Sequence, residues 1–270
     1  MEQNKYAIER LFELILNVAP LSPTTRRDVL GKVQSQINQP FKVAIVGQSG
    51  VGKSTTINAV FGVNNYVSDI AEGTTKIEEQ TFDIDGRYKM IFYDTPGLNN
   101  DIDKDKEYLK MYEDILPQCD VIMYIINAAT KNFGEDCRIL KEHIIPLCKE
   151  KEIMQNVIIA INKIDAIGES DSNNPECHWD IANNVPTPHL KELIKVRLTD
   201  MQEKLILEDI LGADEQNDIT LKRYVFYSAV YEFNIQRFIT AILETPRGLF
   251  WVGTVGMNRI REWKQQLKNK

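Results

Sequence analysis

Gly47-Gln48-Ser49-Gly50-Val51-Gly52-Lys53-Ser54 lies between an apolar run, Val43–Val46, and a stretch from Thr55 to Val60 that reads as a helix. Glycines let such a loop curl until consecutive amides point at one anion, and the start of the helix adds partial positive charge at the same spot. Lys53 is placed to reach the β- and γ-phosphates of a nucleotide, and the Ser54 hydroxyl to ligate Mg²⁺. Gly47 through Thr55 are therefore expected around the phosphates, with Lys53 also serving catalysis.

Three further motifs follow in order, each at the end of an apolar run. Asp94-Thr95-Pro96-Gly97 supplies a carboxylate for the metal, expected to act through water, and a Gly97 amide for the γ-phosphate. Asn162-Lys163-Ile164-Asp165 supplies an acceptor-only carboxylate at Asp165, suited to the ring N–H and amino donors of guanine and unsuited to adenine's edge. Lys163 can lay its stem over the base. Ser228-Ala229-Val230 offers the Ala229 N–H to the guanine oxygen. Each motif is short and weak alone; their order and placement at strand ends make the set specific.

These motifs need a scaffold of alternating strands and helices. Apolar runs predict strands at 42–46, 77–84, 88–93, 120–126, 156–161 and 223–228. Asp85-Gly86 between the second and third is a hairpin signal, and the other connections are long enough for helical crossovers. The expected fold is α/β and three-layered, a mostly parallel six-stranded sheet with one antiparallel edge strand. Ligands of such sheets sit at the carboxyl ends of the strands. Helices are expected over 189–206 and 234–244, and residues 168–187 read as an irregular insertion.

Two amphipathic helices, one over residues 4–19 and one from Ser22 to the residue before Pro40, precede this core. The domain reading is a helical extension over 1–39, a nucleotide domain over 40–245 and an amphipathic, locally basic tail over 246–270. The tail suits packing against the N-terminal helices, or contact with a membrane surface or partner.

The formal charge of −7 argues against nonspecific nucleic-acid binding. No run of about 18 apolar residues could span a bilayer, and Met1–Lys5 lacks the layout of a signal peptide. Cys119, Cys137, Cys148 and Cys177 lack CxxC spacing and fit reduced thiols in a cytoplasmic protein.

On its four motifs the chain resembles the Era/TrmE-like branch of the translation-factor-related GTPases, over about residues 40–245. The resemblance implies a GTP/GDP site with Mg²⁺. It also implies a switch threonine that senses metal and γ-phosphate, placed at Thr75 with Thr74 the alternative. Two departures stand out. Leu98 follows Gly97 where Ras-type switches carry a water-orienting glutamine, and Gly50 stands where potassium-activated relatives carry asparagine. Glycine there resembles septin-like and immunity-related GTPases, many of which pair across the nucleotide. The expected activity is slow GTP hydrolysis by a switch, assisted by a GTP-dependent homodimer or by an unrelated protein effector. The alternatives are a nucleotide-stabilised scaffold with little turnover and a ribosome-assembly GTPase.

Overall fold

The structure, a computed structural model, describes residues 39–61, 75–84, 88–98, 102–168, 178–207, 210, 224–245, 247–248 and 251. The expected N-terminal helices and almost all of the basic tail lie outside these residues.

The apolar runs form strands because both faces of the sheet are covered. β1 (Phe41–Gly47), β4 (Val121–Asn127) and β5 (Val157–Asn162) are buried almost without interruption. Continuous Val/Ile-rich runs of this kind suit central parallel strands. With β2 (Glu78–Ile84), β3 (Tyr88–Asp94) and β8 (Tyr224–Phe226) they make one sheet in the order β2-β3-β1-β4-β5-β8. All neighbours are parallel except β2 and β3, which pair antiparallel at one edge, Glu78 opposite Asp94. The edge strand β2 extends through Asp83-Ile84, and β8 is shorter than its apolar run suggests.

Alternation along β1 divides the core in two. Val43 and Ile45 face one layer with α1 (Lys53–Phe61) and α6 (Ile235–Leu243), which contribute Ile57, Val60, Phe238 and Ile242. Ala44 and Val46 face the other, with α2 (Ile102–Ile115), α3 (Phe133–Ile139), α4 (Ile145–Glu150) and α5 (Pro188–Leu207). Trp251, at the start of the tail, is buried in the first layer with its ring 5.4 Å from that of Phe41.

The stretch 168–187 is not wholly irregular. β6 (Trp179–Asp180) and β7 (Val185–Pro186) form a two-stranded antiparallel hairpin. The density of polar and proline residues hid it. The pairing rests on Trp179, whose buried ring packs against residues far away in sequence.

Candidate nucleotide site

The four motifs converge at the carboxyl ends of β1, β3, β5 and β8. The phosphate loop leaves β1 at Gly47 and enters α1 at Lys53. Gly52 has φ +93°, and a Cβ there would stand 2.5 Å from Asn162 Nδ2, so only glycine lets the loop pass this close to β5. At Gly97 a Cβ would lie 2.6 Å from Ser49 Cα and 2.9 Å from Lys53 Nζ. The strap after β3 is thus laid directly on the phosphate loop.

Backbone bonds fix that strap. Ser49 N–H donates to the Leu98 carbonyl at 2.9 Å, and Leu98 N–H to the Gly47 carbonyl at 3.3 Å. Leu98 turns its side chain, 2% exposed, into the core with Tyr93, Tyr108 and Tyr112. The residue in the glutamine position therefore packs the domain and does not face the loop. Tyr112 of α2 closes the arrangement: its hydroxyl donates to the Pro96 carbonyl at 2.5 Å and accepts from Thr95 Oγ1 at 3.1 Å.

Lys53 Nζ donates to the carbonyls of Gln48 at 3.0 Å and Gly47 at 3.3 Å. Burial lowers its pKa to about 8, with the neighbouring Asp94 charge opposing the shift. Ser54 Oγ donates to Asp94 Oδ2 at 2.5 Å, while Asp94 Oδ1 is buried with no partner among the described residues. Burial raises the Asp94 pKa against the pull of Ser54 and Lys53, with Glu78 adding to the rise. A hydroxyl beside a carboxylate with one oxygen to spare fits a small, hard divalent cation that keeps several waters.

At the base end, Asn162 acts as a clip. Its Nδ2 donates to the Val51 carbonyl at 2.9 Å, and its Oδ1 accepts from Ala229 N–H at 3.0 Å. Lys163, in the left-handed conformation at φ +60°, reaches across to the Gly50 carbonyl at 2.8 Å. Asp165 Oδ1 is buried without a partner among the described residues. Ser228 is fully buried and holds its loop through reciprocal backbone bonds with Phe233. Ala229 N–H, expected at the guanine oxygen, donates here to Asn162 Oδ1 and ties the loop to β5.

The remaining expected residues are placed less closely. Gly50 is in the left-handed region in open space, Val51 is buried in the core, and Val230 is 68% exposed. Thr55 is half-buried in the first turn of α1. Thr75 is exposed ahead of β2, without a hydrogen bond to another described residue, and Thr74 lies outside the described residues.

Two contributors went unseen in the sequence. Tyr112 sits in an ordinary helical stripe with nothing to mark its partner. Asp136, 1% exposed, accepts a hydrogen bond from Tyr124 at 3.2 Å and is also bonded to the Gln48 side chain. Burial raises its pKa to about 6. The Phe133–Ile139 stripe offered a signal, since a carboxylate three residues from a core position on either side faces inward only with a polar partner.

Residues 42–163 match the family model described as 50S ribosome-binding GTPase. Era of Thermoanaerobacter is 32% identical over 128 residues, 47% of this chain and 40% of the relative. The tRNA modification GTPase MnmE of Bacteroides fragilis is 24% identical over 221 residues, covering 80% of this chain and 45% of MnmE. The fold is that of a P-loop GTPase domain, and its sequence is similar to those of Era and MnmE. A structure of Aquifex aeolicus Era bound to GDP and AlF₄⁻ superposes on the domain with a TM-score of 0.52 at 25% identity. It covers 77% of this chain and 57% of that one. The chain spans less than half the length of these two curated relatives. The matched part of the GTPase domain includes the phosphate loop, the Asp94 strap and the Asn162-Lys163 pair, while the Ser228 loop lies beyond it.

Proposed function

We propose that this GTPase domain binds guanine nucleotide with Mg²⁺ and hydrolyses GTP slowly to GDP and phosphate, as a switch. The observation that carries the reading is the buried, unpartnered Oδ1 of Asp165, flanked by the Asn162 and Lys163 clips to the phosphate loop. A buried carboxylate oxygen calls for donors, and guanine's ring N–H and amino group supply them side by side.

In this reading Ser54 and Asp94 hold Mg²⁺, which when bound neutralises charge on the β- and γ-phosphates. Lys53 turns from its loop carbonyls to the phosphates, and the Gly97 N–H approaches the γ-phosphate. Thr75 joins only if the segment before β2 closes over the site. Leu98, buried in the core, orients no water, so the water-positioning group must come from elsewhere. We assign it to a second copy of the chain meeting the first across the nucleotide, or to an unrelated activating protein. The isolated chain should then turn over GTP at about 10⁻² per second or slower.

The burial of Leu98 equally favours a second reading, a nucleotide-stabilised interaction protein with little turnover. Single-turnover cleavage of GTP, with the co-purified nucleotide identified, separates the two. Specific activity rising with protein concentration, and mass doubling only with a GTP analogue, would identify the second copy as the activator. Flat activity from a monomer would point to the unrelated partner. Cys119, Cys137 and Cys148 are buried and form no disulfide, which fits work in a reducing compartment.

A further inference from the structure

The loop after β8 closes on itself through the Ser228–Phe233 backbone bonds and through Asn234 Nδ2, which donates to the Phe226 carbonyl at 2.8 Å; what it packs against is set from outside. β8 is three residues long and, among the described residues, sits at the sheet edge beside β5. Glu232 and Asn234 both adopt left-handed backbone, at φ +50° and +63°; asparagine tolerates this readily, whereas glutamate holds it at a cost that the surroundings must offset. The loop's tie to the guanine motif is the Ala229–Asn162 bond.

The β6–β7 hairpin supplies the constraint. The Trp179 indole stacks on the Tyr231 ring at 5.0 Å and 15°, and meets Phe233 edge-on at 5.1 Å and 79°. Its Nε1–H donates to Asn184 Oδ1 at 3.1 Å, and Asn184 Nδ2 donates to the Tyr231 carbonyl at 3.0 Å. One amide thus joins the hairpin's tryptophan to the loop backbone. Tyr231 N–H in turn donates to Ser228 Oγ at 3.2 Å, carrying the constraint to the residue beside Ala229.

We infer that the β6–β7 hairpin sets the base-facing loop 228–234, with Trp179 and Asn184 as positioning residues for guanine recognition. The inference rests on the guanine-nucleotide reading above. The hairpin at Trp179–Pro186 holds this loop through the Tyr231 ring and carbonyl, so the loop's wall of the base site depends on it. The phosphate end is built on β1 and β3. Loosening the hairpin should therefore alter base discrimination and nucleotide release without altering the Mg²⁺ dependence.

The test uses the full chain with Trp179→Leu, Trp179→Phe and Asn184→Gly; glycine keeps the left-handed backbone at φ +52° and removes only the amide. Release of a fluorescent GDP and competition by GDP and IDP, which lacks the 2-amino group, are measured with and without Mg²⁺. Trp179→Leu and Asn184→Gly are expected to speed release by about tenfold and to narrow the GDP/IDP preference, with Trp179→Phe restoring most of both. A guanine-selective wild type whose variants release within about twofold of it would overturn this inference alone. So would equal losses for GDP and IDP that parallel a fall in melting temperature. A wild type with no guanine preference would overturn the functional reading and this inference together.

Discussion

The phosphate end and the base end of the site have settled their hydrogen bonds differently. At the phosphate end the donors are committed within the chain: Lys53 Nζ to two loop carbonyls, Ser49 N–H to Leu98, Ser54 Oγ to Asp94. The oxygens left over at the two ends are acceptors, Asp94 Oδ1 and Asp165 Oδ1. A carbonyl has two lone pairs and accepts an extra donor, whereas an N–H has one proton to give. Donors aimed at phosphate can therefore be satisfied internally until a ligand arrives, and carboxylates aimed at a cation or a base cannot. The phosphate end must redirect Lys53 to bind; at the base end Lys163 and the Ala229 N–H are held by Gly50 and Asn162, and Asp165 Oδ1 is the group that waits for a donor.

Asp165→Asn attacks the base end and should have the largest effect. Exchanging a carboxylate for an amide should cost about 2–4 kcal/mol of GTP affinity and improve xanthosine nucleotide relative to guanosine. Competition binding measures both, and unchanged GTP affinity would remove Asp165 from the base site.

Asp136, behind the phosphate end, tests whether that end is held from within. Its folded pKa of about 6 lies above the usual 3.8, so the folded state holds the extra proton and stability falls as pH rises from about 4 to about 6. Above that window the ionised carboxylate costs about 2–3 kcal/mol. Asp136→Asn should raise the melting temperature at neutral pH and leave it unchanged near pH 4. If it also loosens Gln48, nucleotide affinity should fall while stability rises, which a passive core residue would not do.

Leu98→Gln asks whether restoring the glutamine of Ras-type switches restores catalysis. The side chain enters the core, so single-turnover hydrolysis should stay unchanged and stability should drop by about 1–3 kcal/mol. Faster hydrolysis would show that the strap turns outward once nucleotide binds.

The smallest effect concerns Lys53. A folded pKa lowered by burial to about 8 means that the free protein gives up the lysine proton above that pH, while bound phosphate retains it. Affinity should be flat below pH 8 and weaken by about tenfold per pH unit above it, until the bound-state pKa is reached. Lys53→Arg should remove this slope even where it lowers affinity.

Residues Gly47 to Ser54 were legible in the sequence because glycine, lysine and hydroxyl positions answer a local geometric demand that nothing else in the chain can change. The strand runs were legible for a similar reason, since a strand buried on both faces must be apolar throughout. Asn162 and Asp165 stood out as polar residues ending such a run. What Leu98 does was decided by tertiary structure: a leucine after glycine suits either an exposed switch or a core, and the Tyr93–Tyr108–Tyr112 cluster chose the core. The same holds for Ala229, whose amide direction depends on Asn162, 67 residues away. The partners of Trp179 and Asp136 could not be read locally because Tyr231 and Gln48 lie on other strands' loops. Local rules specify which groups a loop offers; which of them are spent inside the molecule depends on neighbours that only the closed sheet brings together.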